Sequence, residues 1–251
     1  MRDAERLKSR ILAVFAHPDD ETFLAGGTLA RYAAEGHEIF VVCATHGEAG
    51  RRGEYEELST EEFARLRGRE MESACRTLGV SRPVFLKCAD QQLARACWES
   101  ATAEIVRYLR KLKPDVVITF GPDGVSRHPD HVALSQIVTS AVWGAGARAL
   151  LPGEEPFRPA ALYYVLRSES LPNCCKPSAP VEAPPITTII DIKGFGQRKL
   201  EAIRCYRSQK HLQPEDPGLV SAVLNGREHF HRALPACPGG EIEDHLFLPF
   251  V

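Results

Sequence analysis

The sequence predicts a Rossmann-like α/β fold with a mostly parallel, doubly wound sheet. Three observations carry that expectation. Apolar, β-branched runs recur without polar alternation, as strands buried on both faces require. The segments between them carry apolar residues at helical spacing. The two kinds of segment then alternate in order, strand after helix, which is the pattern of parallel strands joined by crossover helices.

The first strand is Arg10–Ala16 (RILAVFA), and the turn Ala16-His17-Pro18-Asp19-Asp20-Glu21 follows it directly. Glu38–Thr45 is the second strand. Phe63, Leu66, Met71, Ala74 and Leu78 then share one face of a helix that Gly79 ends. Val84–Cys88 is the third strand, and Trp98, Ile105, Leu109 and Leu112 mark a helix that stops before Pro114. Asp115–Gly121 is the fourth strand, followed by a helix from about His131 to Trp143 and a fifth strand at Ala161–Leu166. Ser168–Pro185 (SESLPNCCKPSAPVEAPP) is proline-rich and reads as a surface loop. A strand at Ile186–Ile192 and two helices, over about Gly196–Gln209 and Leu219–Leu234, complete the chain. Without an internal repeat or a second core, residues 1–251 read as one domain.

Composition excludes more than it identifies. The 251 residues are 44% hydrophobic and 25% charged, with a formal net charge of −2, so no global charge recruits nucleic acid or an anionic membrane. No stretch approaches the ~20 apolar residues of a membrane helix. The charged N-terminus lacks the pattern of a signal peptide. The eight cysteines show no CxxC pair or zinc-finger spacing, so they read as small buried hydrophobes of a cytoplasmic chain.

The chemistry concentrates in two turns. A doubly wound sheet builds its sites at the carboxyl ends of strands, near the point where strand order reverses. Dinucleotide binders place G-x-G-x-x-G after the first strand; here an imidazole, a proline and three carboxylates stand instead. The fourth strand leads into GPDGVSRHPDH, with His128, Asp130 and His131 opening the next helix. A single His-Pro-Asp is ordinarily a turn whose Asp caps a helix. Two of them at two strand ends point further, to His17, Asp20 and His131 as a two-histidine, one-carboxylate metal site with an open position. Glu21 also reads as a first-turn acid, and Asp130 as a helix cap.

AHPDDE followed by Gly26-Gly27 and Thr28, with HPDH at His128–His131 after GPDG, resembles the signature of the PIG-L/LmbE-like zinc-dependent deacetylases. Thr45-His46-Gly47-Glu48 resembles the family's T-x-G-E loop, and Arg67, Glu70 and Leu78-Gly79 its R-x-x-E…LG helix. Lys199 and Tyr206-Arg207-Ser208-Gln209 resemble its K…SQ segment, with Tyr206 where many members have His. The resemblance implies His17, Asp20 and His131 as zinc ligands and Asp19 as general base. It implies His128, oriented by Asp130, as the oxyanion stabiliser and a candidate acid; if cationic, its charge would add to that stabilisation. Arg67 becomes a contact to the sugar or acyl region, and Glu48 a further substrate contact. Some members carry a tyrosine two residues before HPDH, where this chain has Ser126 followed by Arg127; Arg127 leans toward a substrate bearing an anion.

The implied activity is metal-dependent removal of the N-acetyl group from an N-acetylglucosamine-type sugar or its conjugate. An amidase for sugar–thiol conjugates and a non-catalytic metal- or sugar-binding module on the same fold are the alternatives. Zn²⁺ is the expected cofactor, with Fe²⁺ or Co²⁺ also suited to such ligands. The expected partner is a small amino-sugar molecule, and the family's varied assemblies allow a homo-oligomer.

Overall fold

Strand β1 (Arg10–Phe15) is apolar after Arg10 because both its faces are covered: Ile11 through Phe15 are wholly buried. In the computed structural model, which describes residues 8–167, 182–237 and 240–248, β1 lies inside a seven-stranded sheet. Beside it run β2 (Glu38–Cys43) and β4 (Val116–Phe120), both parallel to it, with Ile11 opposite Ile39 on one side and Val116 on the other. The short β3 (Val84–Phe85) extends the sheet beyond β2, and β5 (Ala161–Leu166) extends it beyond β4, again in parallel. The order 3-2-1-4-5 therefore reverses between β1 and β4, where a crevice opens at the strand ends.

Helices α1 (Asp20–Ala34) and α2 (Thr60–Leu78) follow β1 and β2. Ser59 and Glu62 form a reciprocal capping box at the start of α2, and Gly79, at φ 80°, ends it in the left-handed region. A single helical turn, α3 (Leu93–Ala96), precedes α4 (Trp98–Leu112). After β4 come the short α5 (Gly124–Arg127) and α6 (Pro129–Ala145), whose first position is proline, as a helix start favours. Helix α4 packs on α6, while α1 and α2 both pack on α7 (Gly196–Ile203), giving the sheet its two helical layers.

The C-terminal part departs from the sequence expectation. The helix expected over about Gly196–Gln209 ends at Ile203, and a 3₁₀ turn spans Arg207–Leu212. The helix expected through Leu234 ends at Asn225 as α8 (Pro217–Asn225). Arg227–Leu234 is instead a strand, β7, inserted antiparallel between β5 and β6 (Thr188–Asp191). Its buried positions are Glu228, Phe230 and Arg232, so two of the three inward side chains are charged and the apolar alternation is hidden. His229 and His231, expected to face apart on a helix, share one face of this strand.

Those buried charges are paired. Lys199 Nζ lies 2.7 Å from Glu228 Oε1 and donates to the Phe23 carbonyl at 2.9 Å. The Glu228 carboxylate also accepts the backbone N–H groups of Gly27 and Thr28 at 2.9 and 2.7 Å. A Cβ on Gly27 would sit 2.6 Å from Ile192, so this side of α1 admits only glycine at that position.

Residues 168–181, most of the proline-rich segment with Cys174 and Cys175, lie outside the described residues. Among the described residues, Cys43, Cys75, Cys88 and Cys97 are buried and unbonded, Cys205 and Cys237 are free thiols, and no helix is long and apolar enough to cross a membrane.

Candidate metal centre

The two His-Pro-Asp turns meet because β1 and β4 are neighbours at the reversal of strand order. His17 leaves β1 as it ends, and His128, Asp130 and His131 stand where α5 passes into α6. His131 is held on two sides: its ring stacks on Phe120 at 4.0 Å between centroids, and Nδ1 donates to the Gly124 carbonyl at 3.1 Å. That leaves Nε2 with a lone pair facing His17 and Asp20.

The side chains of His17, Asp20 and His131 bring their donor atoms close together. His17 Nδ1 lies 3.2 Å from His131 Nε2 and 3.4 Å from Asp20 Oδ2, and His131 Nε2 lies 3.3 Å from Asp20 Oδ1. A tetrahedral ion with bonds of ~2.0–2.1 Å needs donors ~3.3–3.4 Å apart; the His17–His131 spacing suits such an ion, and the Asp20 carboxylate faces the two rings through its two different oxygens. The charges fit as well. Burial lowers the affinity of His17 for a proton, yet Asp130, Asp20 and Asp90 outweigh it and push the imidazole well above its ordinary value. Burial raises the Asp20 carboxyl, but the His131 and His17 rings hold it well below the usual carboxylate range. Acids crowded around His17 in a buried pocket are stabilised by a positive charge, whether a proton or a metal ion.

Asp19 sits at φ 113°, outside the ordinary range for a residue with a side chain, and is buried. Its amide donates to Glu21 Oε2 at 3.1 Å, while Glu21 itself is wholly buried and bonded to Thr22 and the Tyr206 hydroxyl. Burial pushes the Asp19 carboxyl up to about 8, against the opposing charge of Arg67.

Arg67, expected to touch substrate, is buried and has its guanidinium on the protein. Nη2 lies 2.9 Å from Asp19 Oδ2 and also donates to the Pro18 carbonyl, and Nη1 donates to the Gly47 carbonyl at 2.9 Å. The sequence placed Arg67 at the margin of an apolar helix face; its contact with Asp19 spans 48 residues and was invisible there.

His128 and Asp130 also differ from expectation. Burial and the neighbouring His17 and His131 charges lower His128 to about 4, so the ring is neutral at pH 7 rather than cationic. The Asp130 carboxylate does not orient it. That carboxylate faces His17 Nε2 at 3.3 Å and accepts the Gln91 and Leu93 amides at 2.6 and 3.2 Å. Only the Asp130 backbone N–H reaches His128, donating to Nδ1 at 3.2 Å, which puts the ring proton on Nε2.

Glu48 is half-buried, with Oε1 accepting the Asp90 amide at 2.8 Å and Oε2 buried without a partner. Arg127 is exposed at the end of α5, at φ 61°. Asp90, which the sequence reading missed, is buried with Oδ1 3.0 Å from His17 Nε2. Its signal was position alone: an acid just past the third strand, where such a sheet gathers its site. A cavity of about 620 Å³ is lined by Arg51, Tyr55, Arg207, Lys210 and His211 among others, and by none of the candidate metal-site residues. Burial and the Arg51 and Arg67 charges lower His211.

Residues 12–142 match the family described as PIG-L: GlcNAc-PI de-N-acetylase. The chain is 34% identical, across 88% of its length and 90% of the relative's, to the 1D-myo-inositol 2-acetamido-2-deoxy-alpha-D-glucopyranoside deacetylase of Rhodococcus jostii. It superposes on the N,N'-diacetylchitobiose deacetylase of Pyrococcus horikoshii with a TM-score of 0.70 and 25% identity, over 89% of this chain and 83% of that one. The 4-carboxy-2-hydroxymuconate hydratase of Pseudomonas putida shares the fold at a TM-score of 0.75 and 21% identity, over 93% and 99% of the two chains.

Proposed function

The chain belongs to the PIG-L family, and from that premise we propose that it is a zinc-dependent deacetylase of an N-acetylglucosamine-type glycoside. The observation that carries the reading is the cluster of His17, Asp20 and His131, whose side chains approach one another pairwise at 3.2–3.4 Å, with a buried carboxylate, Asp19, next in sequence to Asp20. The family description and the named substrate of the Rhodococcus relative support the sugar amide as the bond attacked.

His17, Asp20 and His131 would hold the cation, which when bound polarises an amide carbonyl and acidifies water; Fe²⁺ and Co²⁺ suit the same donors. Asp19 takes the proton of the attacking water and later returns it to the amine as the C–N bond breaks, releasing acetate and the free amino sugar. Its raised affinity for a proton suits that exchange, and a cation alongside brings it down toward neutrality. Arg67 fixes where the carboxylate points. His128 offers Nε2–H to the oxyanion as the carbonyl carbon becomes tetrahedral. The cavity lined by Arg51, Tyr55, Arg207, Lys210 and His211 would take the part of the glycoside beyond the amino sugar, and we place the enzyme in the cytoplasm.

The test is acetate release from N-acetylglucosamine glycosides, with and without a chelator, by the wild type and Asp19→Asn. The expected outcome is chelator-sensitive turnover in the wild type and a variant that keeps its zinc but loses turnover. A fully active, zinc-loaded Asp19→Asn enzyme refutes the mechanism.

A further inference from the structure

The His17 ring presents two nitrogens to two different surroundings. Nδ1 faces Asp20 and His131, whereas Nε2 faces Asp90 Oδ1 at 3.0 Å and Asp130 Oδ2 at 3.3 Å. A neutral imidazole carries one proton, and Nδ1 can serve as a metal ligand only when that proton is on Nε2. We propose that Asp90 is the positioning residue that enforces this state: its carboxylate takes the Nε2–H of His17 and turns the Nδ1 lone pair toward Asp20 and His131. The proposal rests on the metal-site reading above and assigns Asp90 a role in it.

The choice of Asp90 over Asp130 follows from what each carboxylate already accepts. Asp130 Oδ2 is the acceptor for the Gln91 amide at 2.6 Å, and its Oδ1 for that of Leu93. Asp90 Oδ1 has His17 as its partner at the shorter distance, and Oδ2 is anchored by the Ala49 amide at 3.0 Å. The Asp90 amide donates in turn to Glu48 Oε1. The loops after β2 and β3 are thus tied together at Asp90, which fixes the carboxylate before any ligand arrives. Asp130 serves the same nitrogen from the other side while holding the loop that carries Asp90.

The experiment measures zinc affinity, by competition with a chromophoric chelator, for the wild type, Asp90→Ala and Asp90→Asn, together with the thermal midpoints of the metal-free proteins and KM at saturating zinc. Outer partners of ligating histidines are commonly worth ~10–100-fold in metal affinity. Asp90→Ala is expected to lose zinc affinity by about that factor. Asp90→Asn, which keeps an acceptor oxygen and guards against a folding failure of the alanine variant, is expected to recover a large part of it. KM is expected to stay within about twofold. Unchanged zinc affinity in both variants overturns the proposal, and a raised KM with normal zinc binding would reassign Asp90 to the substrate. Wild-type protein that binds zinc at this site but releases no acetate refutes the deacetylase reading while leaving the Asp90 result intact.

Discussion

Gly47 and Arg67 offer a way to move the catalytic base without touching it. Gly47 sits at φ +65°, and a Cβ there would lie 2.0 Å from Arg67 Nη1 and 2.6 Å from its Cζ. Gly47→Ala therefore costs twice: about 1–2 kcal/mol for a side chain in the left-handed region, and the displacement of the guanidinium. Losing one partner of a buried ion pair is worth about 3–5 kcal/mol, and the displaced group leaves Asp19, Pro18 O and Gly47 O unpaired. The sum, about 4–7 kcal/mol, corresponds in a chain of this size to a fall in Tm on the order of 10–25 °C. A shift of about 1 Å in the base would lower kcat on the order of 100-fold, while His17, Asp20 and His131 still bind zinc. The decisive assay is a double-mutant cycle with Arg67→Lys, whose ammonium cannot serve three acceptors in one plane. If the guanidinium is what the new methyl strikes, Gly47→Ala added to Arg67→Lys should cost only the backbone term, leaving a coupling of about 3 kcal/mol. Equal costs of Gly47→Ala in both backgrounds, or a Gly47→Ala enzyme with wild-type kcat, would refute the reasoning.

Two predictions concern stability. Lys199→Met leaves Glu228 buried without its cation and should lower the calorimetric Tm by roughly 6–20 °C, the equivalent of about 3–5 kcal/mol; a drop under about 2 °C would show that the pair contributes little. His46, stacked on Phe85 at 4.2 Å, is held below its ordinary value by burial. The unfolded chain then takes up the proton first, so the stability His46 supplies is complete above about pH 6.5 and declines as pH falls below it. Denaturant titrations of His46→Phe should show a shallower loss of stability from pH 6.5 to 5 than the wild type, and an unchanged slope would argue against the assignment.

The parallel half of the sheet was legible because its strands and helices obey hydropathy: β1, β4 and β5 are buried from end to end apart from Arg10, and apolar apart from Arg10 and Thr119. Strand β7 was not, because Glu228 and Arg232 point inward, where Lys199 and Glu243 neutralise them. A pattern search reads inward charges as a solvent face, and only the fold supplies their partners. The site divides in the same way. His17, Asp20 and His131 are tied to strand ends that neighbour each other, so local sequence and strand order sufficed to join them. Arg67, Asp90 and Glu21 act through contacts that depend on how separate loops and helices approach, and their sequence neighbourhoods say nothing of the approach. The sequence therefore yields the donors that would touch a metal more readily than the residues that hold them still.

His128 carries the last consequence. A hydratase shares this fold, so the fold alone does not choose the reaction, and the groups aimed at the reacting carbonyl must do so. The sequence left open whether the imidazole there is cationic. The structure holds the half-buried ring 4.8 Å, centroid to centroid, from both His17 and His131, lowers it to about 4, and fixes its proton on Nε2 by having Nδ1 accept the Asp130 amide. Such a group stabilises an oxyanion as a neutral donor, and a bound cation nearby would only strengthen that preference. The two readings separate experimentally. Removing an oxyanion donor costs on the order of 100–1,000-fold in kcat, so His128→Ala should fall by that amount under either one. His128→Gln restores an uncharged N–H donor at comparable reach; if neutrality is the working state, it should recover at least tenfold of the loss, with zinc content unchanged. The pH–rate profile should likewise show no basic limb near neutrality that disappears in His128→Gln. A glutamine variant as inactive as the alanine one, together with loss of such a limb, would establish the cation and refute the neutral donor.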